Sequence, residues 1–159
     1  MNVTRLGNSS LEITPIGLGT WAIGGGDWIM GWGPQPDGES IATIRRALHR
    51  GINWIDTSAV YGLGHAETII ARALRYVPTE NRPYVFTKGG LVWDALGNVS
   101  SDLDPRTLTR QVDESLRRLG VESIDLYHLE LPAPDCPIAR RFGSPKSAWE
   151  AVAALQETG

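Results

Sequence analysis

The feature that most constrains the fold is a regular alternation of short apolar segments with amphipathic helical segments. The apolar segments lie near residues 16–21 and at "INWID" (52–56), "PYVFTK" (83–88) and "SIDLYHL" (123–129). They are almost continuously apolar, as in parallel strands that are covered on both faces. This order of strands and helices predicts an α/β fold with a parallel sheet and right-handed crossovers.

The helix boundaries come from residues that commonly begin or end a helix. Asp104 and Pro105 fit the N-cap and the first helical position of the third helix. Gly51 fits the left-handed position that ends the first helix. The four predicted helices cover about residues 39–51, 66–77, 105–120 and 144–157.

An N-terminal β-hairpin is predicted around the turn "GNSS", where polar and apolar residues alternate. We expect no second hairpin, because no other two strands are close enough in the sequence. The glycine-rich residues 24–38 and the long connection over residues 89–103 are predicted to be loops. Residues 1–159 are thus expected to form a single domain with one hairpin and four βα units.

Composition places the chain among globular proteins and limits its partners. Its 159 residues are 42% hydrophobic and 21% charged, which is enough to bury a core. The net charge of -3 provides no broad positive field, so we expect neither nucleic acid nor a membrane as a partner. With a single cysteine, Cys136, and no apolar leader or membrane-length apolar segment, we expect a cytoplasmic protein.

Three of the four predicted strands have an ionisable side chain at their carboxyl ends. They are Asp56, Lys88 and Glu130. Ligands bind beyond this edge in parallel α/β folds, and Tyr61 follows Asp56 closely. One such residue could simply cap a helix, but three at matching positions favour a site. A neighbouring ammonium group lowers the pKa of a phenol, which can then pass a proton to an oxygen.

Four motifs in order resemble the aldo-keto reductases along essentially the whole chain. They are "GLGTW", "NWIDTSAVYG" with "HAE" just after it, "VFTKGG" and "SLRRLGVESIDLY". The resemblance implies a (β/α)₈ barrel of the TIM-barrel type that reduces carbonyls by hydride transfer from NADPH. It implies that Tyr61 is the general acid, that Lys88 lowers its pKa, and that Asp56 supports Lys88. The positions that match the family's cofactor-binding segment are Gly19, Thr20, Trp21 and Asp56.

Glu130 departs from the pattern of the family, which most often has a histidine at this position. The segment "DLYHLELPAPDCP" aligns without a gap, and Leu131 and Ala133 also replace the usual tryptophan and aspartate. A protonated Glu130 would donate a hydrogen bond to a substrate oxygen. The steroid 5β-reductase branch is similar here and reduces enones. An ionised Glu130 would repel negative charge and leave the site disabled or repurposed, and both interpretations stay open.

Several tryptophans fall in or beside the loops at the same edge. Trp28, Trp32 and Trp93, together with Trp21, are predicted to line a substrate pocket. The two remaining tryptophans, in the second strand and the last helix, are predicted to contribute packing only.

His128 shares a strand face with Glu130. It is interpreted either as a hydrogen-bonded core histidine or as the partner that sets the charge of Glu130. His49 and His65 are predicted to be solvated or capping residues. No cysteine and histidine cluster has the spacing of metal ligands, so no metal site is predicted.

Four βα units are only half of those in a (β/α)₈ barrel. In the family, the second half carries the residue that stacks on the nicotinamide and the loops that hold the adenosine 2′-phosphate. We expect a longer gene product first, closure by a homodimer second, and a flatter repacked sheet third.

The predicted function is NADPH-dependent reduction of a small carbonyl or conjugated enone, with Tyr61 as proton donor. One alternative is a non-catalytic relative that binds a nucleotide or a protein partner, as the potassium-channel β subunits broadly resemble reductases but serve regulation. Another alternative is a lyase or isomerase that retains the acids of the site.

Overall fold

The computed structural model describes residues 2–131, 138 and 143–158. Within these residues, the strands are β1 (Thr4–Arg5), β2 (Glu12–Ile13), β3 (Leu18–Gly19), β4 (Trp54–Asp56), β5 (Tyr84–Gly89), β6 (Leu91–Trp93), β7 (Val99–Ser101) and β8 (Leu126–Leu129). The α-helices are α1 (Asp37–His49), α2 (His65–Leu74), α3 (Pro105–Leu119) and α4 (Pro145–Thr158). Cys136 and Ala133 lie outside the described residues.

A four-stranded parallel sheet has the order β3, β4, β5, β8, so each strand pairs with the next parallel strand along the chain. The helices follow the same order, since α1 packs on α2, α2 on α3 and α3 on α4. The predicted α/β architecture with four βα units is therefore present in the described part of the chain.

The register of the sheet decides which side chains share a face. The Cα of Asp56 is opposite Phe86, and the Cα of Lys88 is opposite His128. Successive residues of a strand alternate between faces, so these four side chains lie on one face. The other face carries apolar residues that pack under the helices, among them Ile55, which is fully buried.

The predicted helix ends agree with the structure where capping residues are present. The Asp104 carboxylate accepts a hydrogen bond from the amide of Arg106 at 2.9 Å, and Pro105 is the first residue of α3. Gly120 ends α3 with φ +66°, and Gly51 follows α1 with φ +85°. Both glycines have the left-handed conformation that ends many helices. The N-terminal hairpin is also present, with β1 antiparallel to β2.

The prediction of only one hairpin was wrong. Strands β6 and β7 form a second antiparallel hairpin within the segment predicted to be a long loop. Asp94 closes its turn, since its carboxylate accepts hydrogen bonds from the amides of Leu96 at 2.8 Å and Asn98 at 2.9 Å. An aspartate that binds amides of the next few residues stabilises a tight turn.

The first strand is shorter than predicted. Only Leu18–Gly19 pairs as β3, and Trp21–Gly24 forms a 3₁₀ turn. At the end of β3, the amide and the hydroxyl of Thr20 both donate to the carbonyl of Asp56, at 3.0 and 2.9 Å. The chain then turns away from the sheet edge. Across the described residues, no helix has the length and apolar character needed to cross a bilayer.

Candidate active site

Lys88 is the centre of a hydrogen-bonded cluster at the carboxyl end of the sheet. Its Nζ donates to Oδ2 of Asp56 at 2.7 Å, to the carbonyl of Thr57 at 2.9 Å and to Oη of Tyr61 at 3.2 Å. Its side chain is only 14% exposed. The structure therefore brings together three of the residues that were predicted to form the site.

Burial and neighbouring charges act in opposite directions on Lys88 and Tyr61. Burial lowers the pKa of Lys88, but the hydrogen bonds and charges of Asp56 and Tyr61 together raise it more, so the ammonium form is favoured. Burial raises the pKa of Tyr61, and the Lys88 ammonium lowers it. Lys88 thus acts in the expected direction, yet the net pKa of Tyr61 lies above that of a free phenol.

The loop after β4 positions Tyr61 by backbone contacts. The amide of Thr57 donates to the carbonyl of Phe86 at 2.8 Å, and the amide of Tyr61 donates to the carbonyl of Ser58 at 3.1 Å. Gly62 follows with φ +61°, and Gly24 lies directly against it. A Cβ added at Gly24 would come within 2.6 Å of the Gly62 amide nitrogen. The two glycines thus allow the 3₁₀ turn to contact the Tyr61 loop.

This contact creates an aromatic cluster beside Tyr61. The ring of Trp21 lies 5.2 Å from that of Tyr61, 5.7 Å from Trp28 and 6.2 Å from Trp32. Trp21 is held in place by a hydrogen bond from its Nε1 to the carbonyl of Met30 at 2.7 Å. Trp28 is buried, whereas Trp32 is 77% exposed. Of the four tryptophans predicted at the pocket, Trp21 and Trp28 therefore contact Tyr61, and Trp32 joins the cluster through Trp21.

Trp93, the fourth, lies in β6 and contacts a different group. The guanidinium of Arg118 lies 5.8 Å from its ring centre, and Arg118 also forms an ion pair with Glu67 at 2.6 Å. Glu67 is fully buried in α2. This buried pair was missed in the sequence, although Glu67 is the last residue of the motif "HAE".

Glu130 lies just after β8 and faces the same cluster. Its amide donates to the carbonyl of Gly89 at 2.7 Å, and its Oε2 accepts a hydrogen bond from the hydroxyl of Ser58 at 2.8 Å. Burial raises the pKa of Glu130, as does the Asp56 carboxylate, whereas Ser58 and Lys88 lower it. The net shift is upward, which favours the protonated carboxyl more than in a free glutamate.

Ser58, which sequence reasoning missed, is the hydrogen-bond partner of the Glu130 side chain. The signal available in the sequence was a hydroxyl residue between Asp56 and Tyr61 in "DTSAVYG". His128 is only partly buried, and its pKa is lowered by burial and by Lys88. His65, predicted to be solvated or capping, begins α2 and contacts Asp37 at 2.9 Å.

The remaining predicted cofactor positions, Gly19 and Thr20, differ in how accessible they are to a ligand. A Cβ added at Gly19 would meet nothing within 4 Å, so the space beside it is open. Thr20 is fully buried and its hydroxyl is engaged by Asp56. In the portion of the chain that the structure covers, no group of three or more histidine, cysteine, aspartate or glutamate side chains is arranged for a metal ion.

Comparison with known proteins shows the family to which the chain is related. The family model described as the aldo/keto reductase family matches residues 15–159. The aldo-keto reductase YhdN of Bacillus subtilis is 34% identical over 151 residues, which are 95% of this chain and 44% of that protein. The NADH-specific methylglyoxal reductase of Escherichia coli is 38% identical over 137 residues, which are 80% of this chain and 41% of that protein.

Solved structures show the same relationship. The glycerol dehydrogenase of Gluconobacter oxydans superposes with a TM-score of 0.80 at 36% identity, over 99% of this chain and 46% of that chain. The fold is therefore of the α/β TIM-barrel type. The chain spans less than half the length of each of these three relatives. A family match over residues 15–159 and these likenesses show that the chain belongs to the aldo/keto reductase family.

Proposed function

We propose that the protein is an oxidoreductase that reduces a small carbonyl compound or a conjugated enone with a nicotinamide cofactor, NADPH. The observation that carries this proposal is the position of Lys88 Nζ, which is within hydrogen-bond distance of both Asp56 Oδ2 and Tyr61 Oη. An aspartate, a lysine and a tyrosine in this contact form a proton-donating group.

In the proposed reaction, Tyr61 is the proton donor and Lys88 is the cation beside it. The substrate oxygen accepts a hydrogen bond from the Tyr61 hydroxyl and receives its proton as the carbonyl becomes an alcohol. Lys88 stabilises the phenolate that remains, and Asp56 keeps Lys88 charged and in place. When bound, the cofactor supplies the hydride that adds to the carbonyl carbon.

The residues present fit the nicotinamide end of the cofactor. Gly19 pairs with Asp56 across β3 and β4, and the space where its Cβ would lie is open. A flat ring can therefore approach the sheet beside Asp56. Trp21 follows Gly19 by two residues, and its ring lies 5.2 Å from that of Tyr61. Because the hydroxyl of Thr20 is engaged by Asp56, we expect Thr20 to support the strand rather than contact the cofactor.

The named relatives support a small carbonyl substrate. A methylglyoxal reductase and a glycerol dehydrogenase are among the proteins most similar to this chain. Because the methylglyoxal reductase is NADH-specific, the preference of this protein for NADPH over NADH is a separate part of the proposal. Trp32, which is exposed beside Trp21, is proposed to contact the substrate, and the buried Trp28 supports Trp21 from behind. Trp93 is proposed to wall the pocket from the hairpin.

Two measurements test the proposal. Titration with NADPH should quench tryptophan fluorescence, because Trp21 and Trp28 contact Tyr61 and Trp32 stacks on Trp21. Replacement of Tyr61 by phenylalanine should reduce turnover of a small aldehyde by about 10²- to 10⁴-fold and leave the quenching unchanged.

The matched control is Tyr76→Phe, because Tyr76 is an exposed tyrosine in the segment that follows α2. This variant should retain both binding and turnover. An absence of quenching at millimolar NADPH and NADH would contradict cofactor binding. Full turnover in the Tyr61→Phe variant would contradict the role of Tyr61 as proton donor.

A further inference from the structure

We propose that Ser58 is a positioning residue that holds one oxygen of the Glu130 carboxyl, so that the other oxygen carries the proton offered to the substrate. This proposal rests on the proposed reductase function. It adds a residue that decides which oxygen of the Glu130 carboxyl faces the substrate as a donor. Ser58 itself touches neither substrate nor cofactor in this proposal.

The hydrogen bonds of Ser58 define the direction of its hydroxyl. Ser58 is 1% exposed, and its Oγ lies 2.8 Å from Oε2 of Glu130. The amide of Val60 donates to the same Oγ at 3.4 Å. The Val60 N–H can only donate, so Oγ is the acceptor in that contact, and the Ser58 hydroxyl itself donates to Oε2 of Glu130.

This direction assigns different roles to the two carboxyl oxygens. Oε2 accepts the hydrogen bond that the Ser58 hydroxyl donates, so in a neutral Glu130 the acidic proton sits on Oε1. A carboxyl that could rotate freely would present either oxygen, including the one without a proton. Ser58 therefore makes the carboxyl of Glu130 a hydrogen-bond donor with one defined donating atom.

Contacts with β5 hold the backbone of Glu130 in place. Its amide donates to the carbonyl of Gly89 at 2.7 Å, which extends the pairing of β8 with β5. Gly90, with φ +104°, packs so closely that an added Cβ would lie 2.7 Å from the carbonyl oxygen of Glu130. The strand β5 thus holds the backbone, and the loop after β4 holds the carboxyl through Ser58.

The groups around Glu130 act on its pKa in opposite directions. Burial and the Asp56 carboxylate raise its pKa, whereas Ser58 and Lys88 lower it. On its own strand, Tyr127 has a pKa that is raised in part by Glu130, and the same holds for Tyr61 in the loop after β4. Ser58 carries no charge of its own and acts on Glu130 through a hydrogen bond, so its removal takes away one contact and no charged group.

The first test is a titration of the carboxyl itself in the intact chain. Carbon-13 NMR of glutamate labelled at the side-chain carboxyl would follow the ionisation of Glu130, with its signal assigned by its loss in Glu130→Gln. We expect Ser58→Ala to raise the pKa of Glu130, because the hydrogen bond that favours the charged form is lost. Ser58→Thr, which keeps the hydroxyl, should titrate like the unmodified protein.

The matched control is Ser40→Ala. Ser40 is also 1% exposed, and within the described residues its hydroxyl has no hydrogen-bond partner. This variant should leave the titration of Glu130 unchanged. If Ser58→Ala does not fold, Ser58→Cys provides a residue of similar size with a weaker donor and should raise the pKa in the same direction. The proposal would be overturned if Glu130 had the same pKa in Ser58→Ala, or in Ser58→Cys, as in the unmodified protein.

The second test separates positioning from packing by kinetics. Ser58→Ala should lower kcat roughly tenfold with little change in KM, and the basic limb of the rate profile should move to higher pH. A rise in KM alone would mean that Ser58 acts through packing and would contradict the proposal. If the unmodified protein reduces no carbonyl or enone, the reductase function fails, but the titration still decides the role of Ser58.

Discussion

Glu67 in α2 and Arg118 in α3 form an ion pair behind the candidate active site. Oε2 of Glu67 lies 2.6 Å from Nε of Arg118, and the Glu67 side chain is 0% exposed. The other carboxylate oxygen accepts a hydrogen bond from Thr87 at 2.7 Å, and Thr87 directly precedes Lys88 in β5. The pair thus connects two helices with the strand that carries the central lysine.

Replacement of Arg118 by methionine should strongly destabilise the fold. The change leaves the buried Glu67 carboxylate without its cation, and breaking a buried pair in this way costs about 3–5 kcal/mol. Chemical denaturation followed by circular dichroism would measure the loss.

The double variant Arg118→Met and Glu67→Gln should recover much of that stability. The side-chain oxygen of the glutamine can still accept the hydrogen bond from Thr87, and no buried negative charge is left without a cation. Lys146→Met removes an exposed partner of Glu150 in α4 and should change stability very little. A double variant that is no more stable than Arg118→Met would show that the charge of Glu67 is not the cause.

The contact between Gly24 and Gly62 gives a second prediction. In Gly24→Ala the new Cβ would lie within 2.6 Å of the Gly62 amide nitrogen, so the 3₁₀ turn must move away from the Tyr61 loop. Overpacking of this kind costs about 1–3 kcal/mol. We expect lower stability, and weaker quenching by NADPH because Trp21 moves with the turn.

Gly38→Ala is the matched control for this glycine. Gly38 lies in the first turn of α1 and an added Cβ would meet nothing within 4 Å. An alanine there should stabilise the helix by up to about 1 kcal/mol. If thermal melts show the same change for both alanine variants, the close approach of the two glycines has no energetic importance.

The repeating elements were predictable from the sequence because each has a local cause. Helix α3 begins where Asp104 caps the amide of Arg106 and ends at Gly120, and both residues are visible in the sequence. The contact of Lys88 with Asp56 was also predictable, since parallel strands bring their carboxyl ends to one edge.

The features that the sequence did not predict have different physical causes. The hydrogen bond between Ser58 and Glu130 joins residues 72 positions apart, so no local sequence pattern predicts it. The hairpin of β6 and β7 has a local signal in Asp94 and Asn98, but its short strands resemble a loop in composition. The sequence suggested that Lys88 lowers the pKa of Tyr61. It could not show that the side chain is buried, and burial outweighs the effect of Lys88, so the net pKa is raised.

Stability should depend on pH through Glu130. Its pKa in the folded chain lies above the ordinary value of 4.5, so the folded state retains a proton that the unfolded state releases. The favourable contribution is fully present below about pH 4.5 and is lost as the pH rises through the folded pKa.

Glu130→Gln should therefore melt at a higher temperature than the unmodified protein at neutral pH and at a similar temperature near pH 4, by differential scanning calorimetry. The glutamine can still accept a hydrogen bond from Ser58, so the comparison isolates the charge. An equal difference in melting temperature at both pH values would contradict an elevated pKa.

Replacement of Lys88 by methionine should raise the pKa of Tyr61 further. Burial already raises it, and the change removes the ammonium that lowers it. A spectroscopic titration of tyrosinate formation, with Tyr61→Phe to identify the signal, would show the phenol ionising at higher pH. Turnover should fall by about 10²-fold or more. An unchanged titration would mean that Lys88 does not influence the phenol.

Glu130→His should change the substrate preference of the protein. A protonated Glu130 beside Tyr61 gives two acidic donors for one substrate oxygen, which suits an enone because negative charge develops on that oxygen as hydride adds to the conjugated carbon. A neutral imidazole is a weaker acid, so the ratio of enone to aldehyde turnover should fall at least about tenfold. Glu130→Gln, which keeps the size and a neutral donor, should fall between the two. If the ratio is the same for glutamate and histidine, the acidity of residue 130 does not select the substrate.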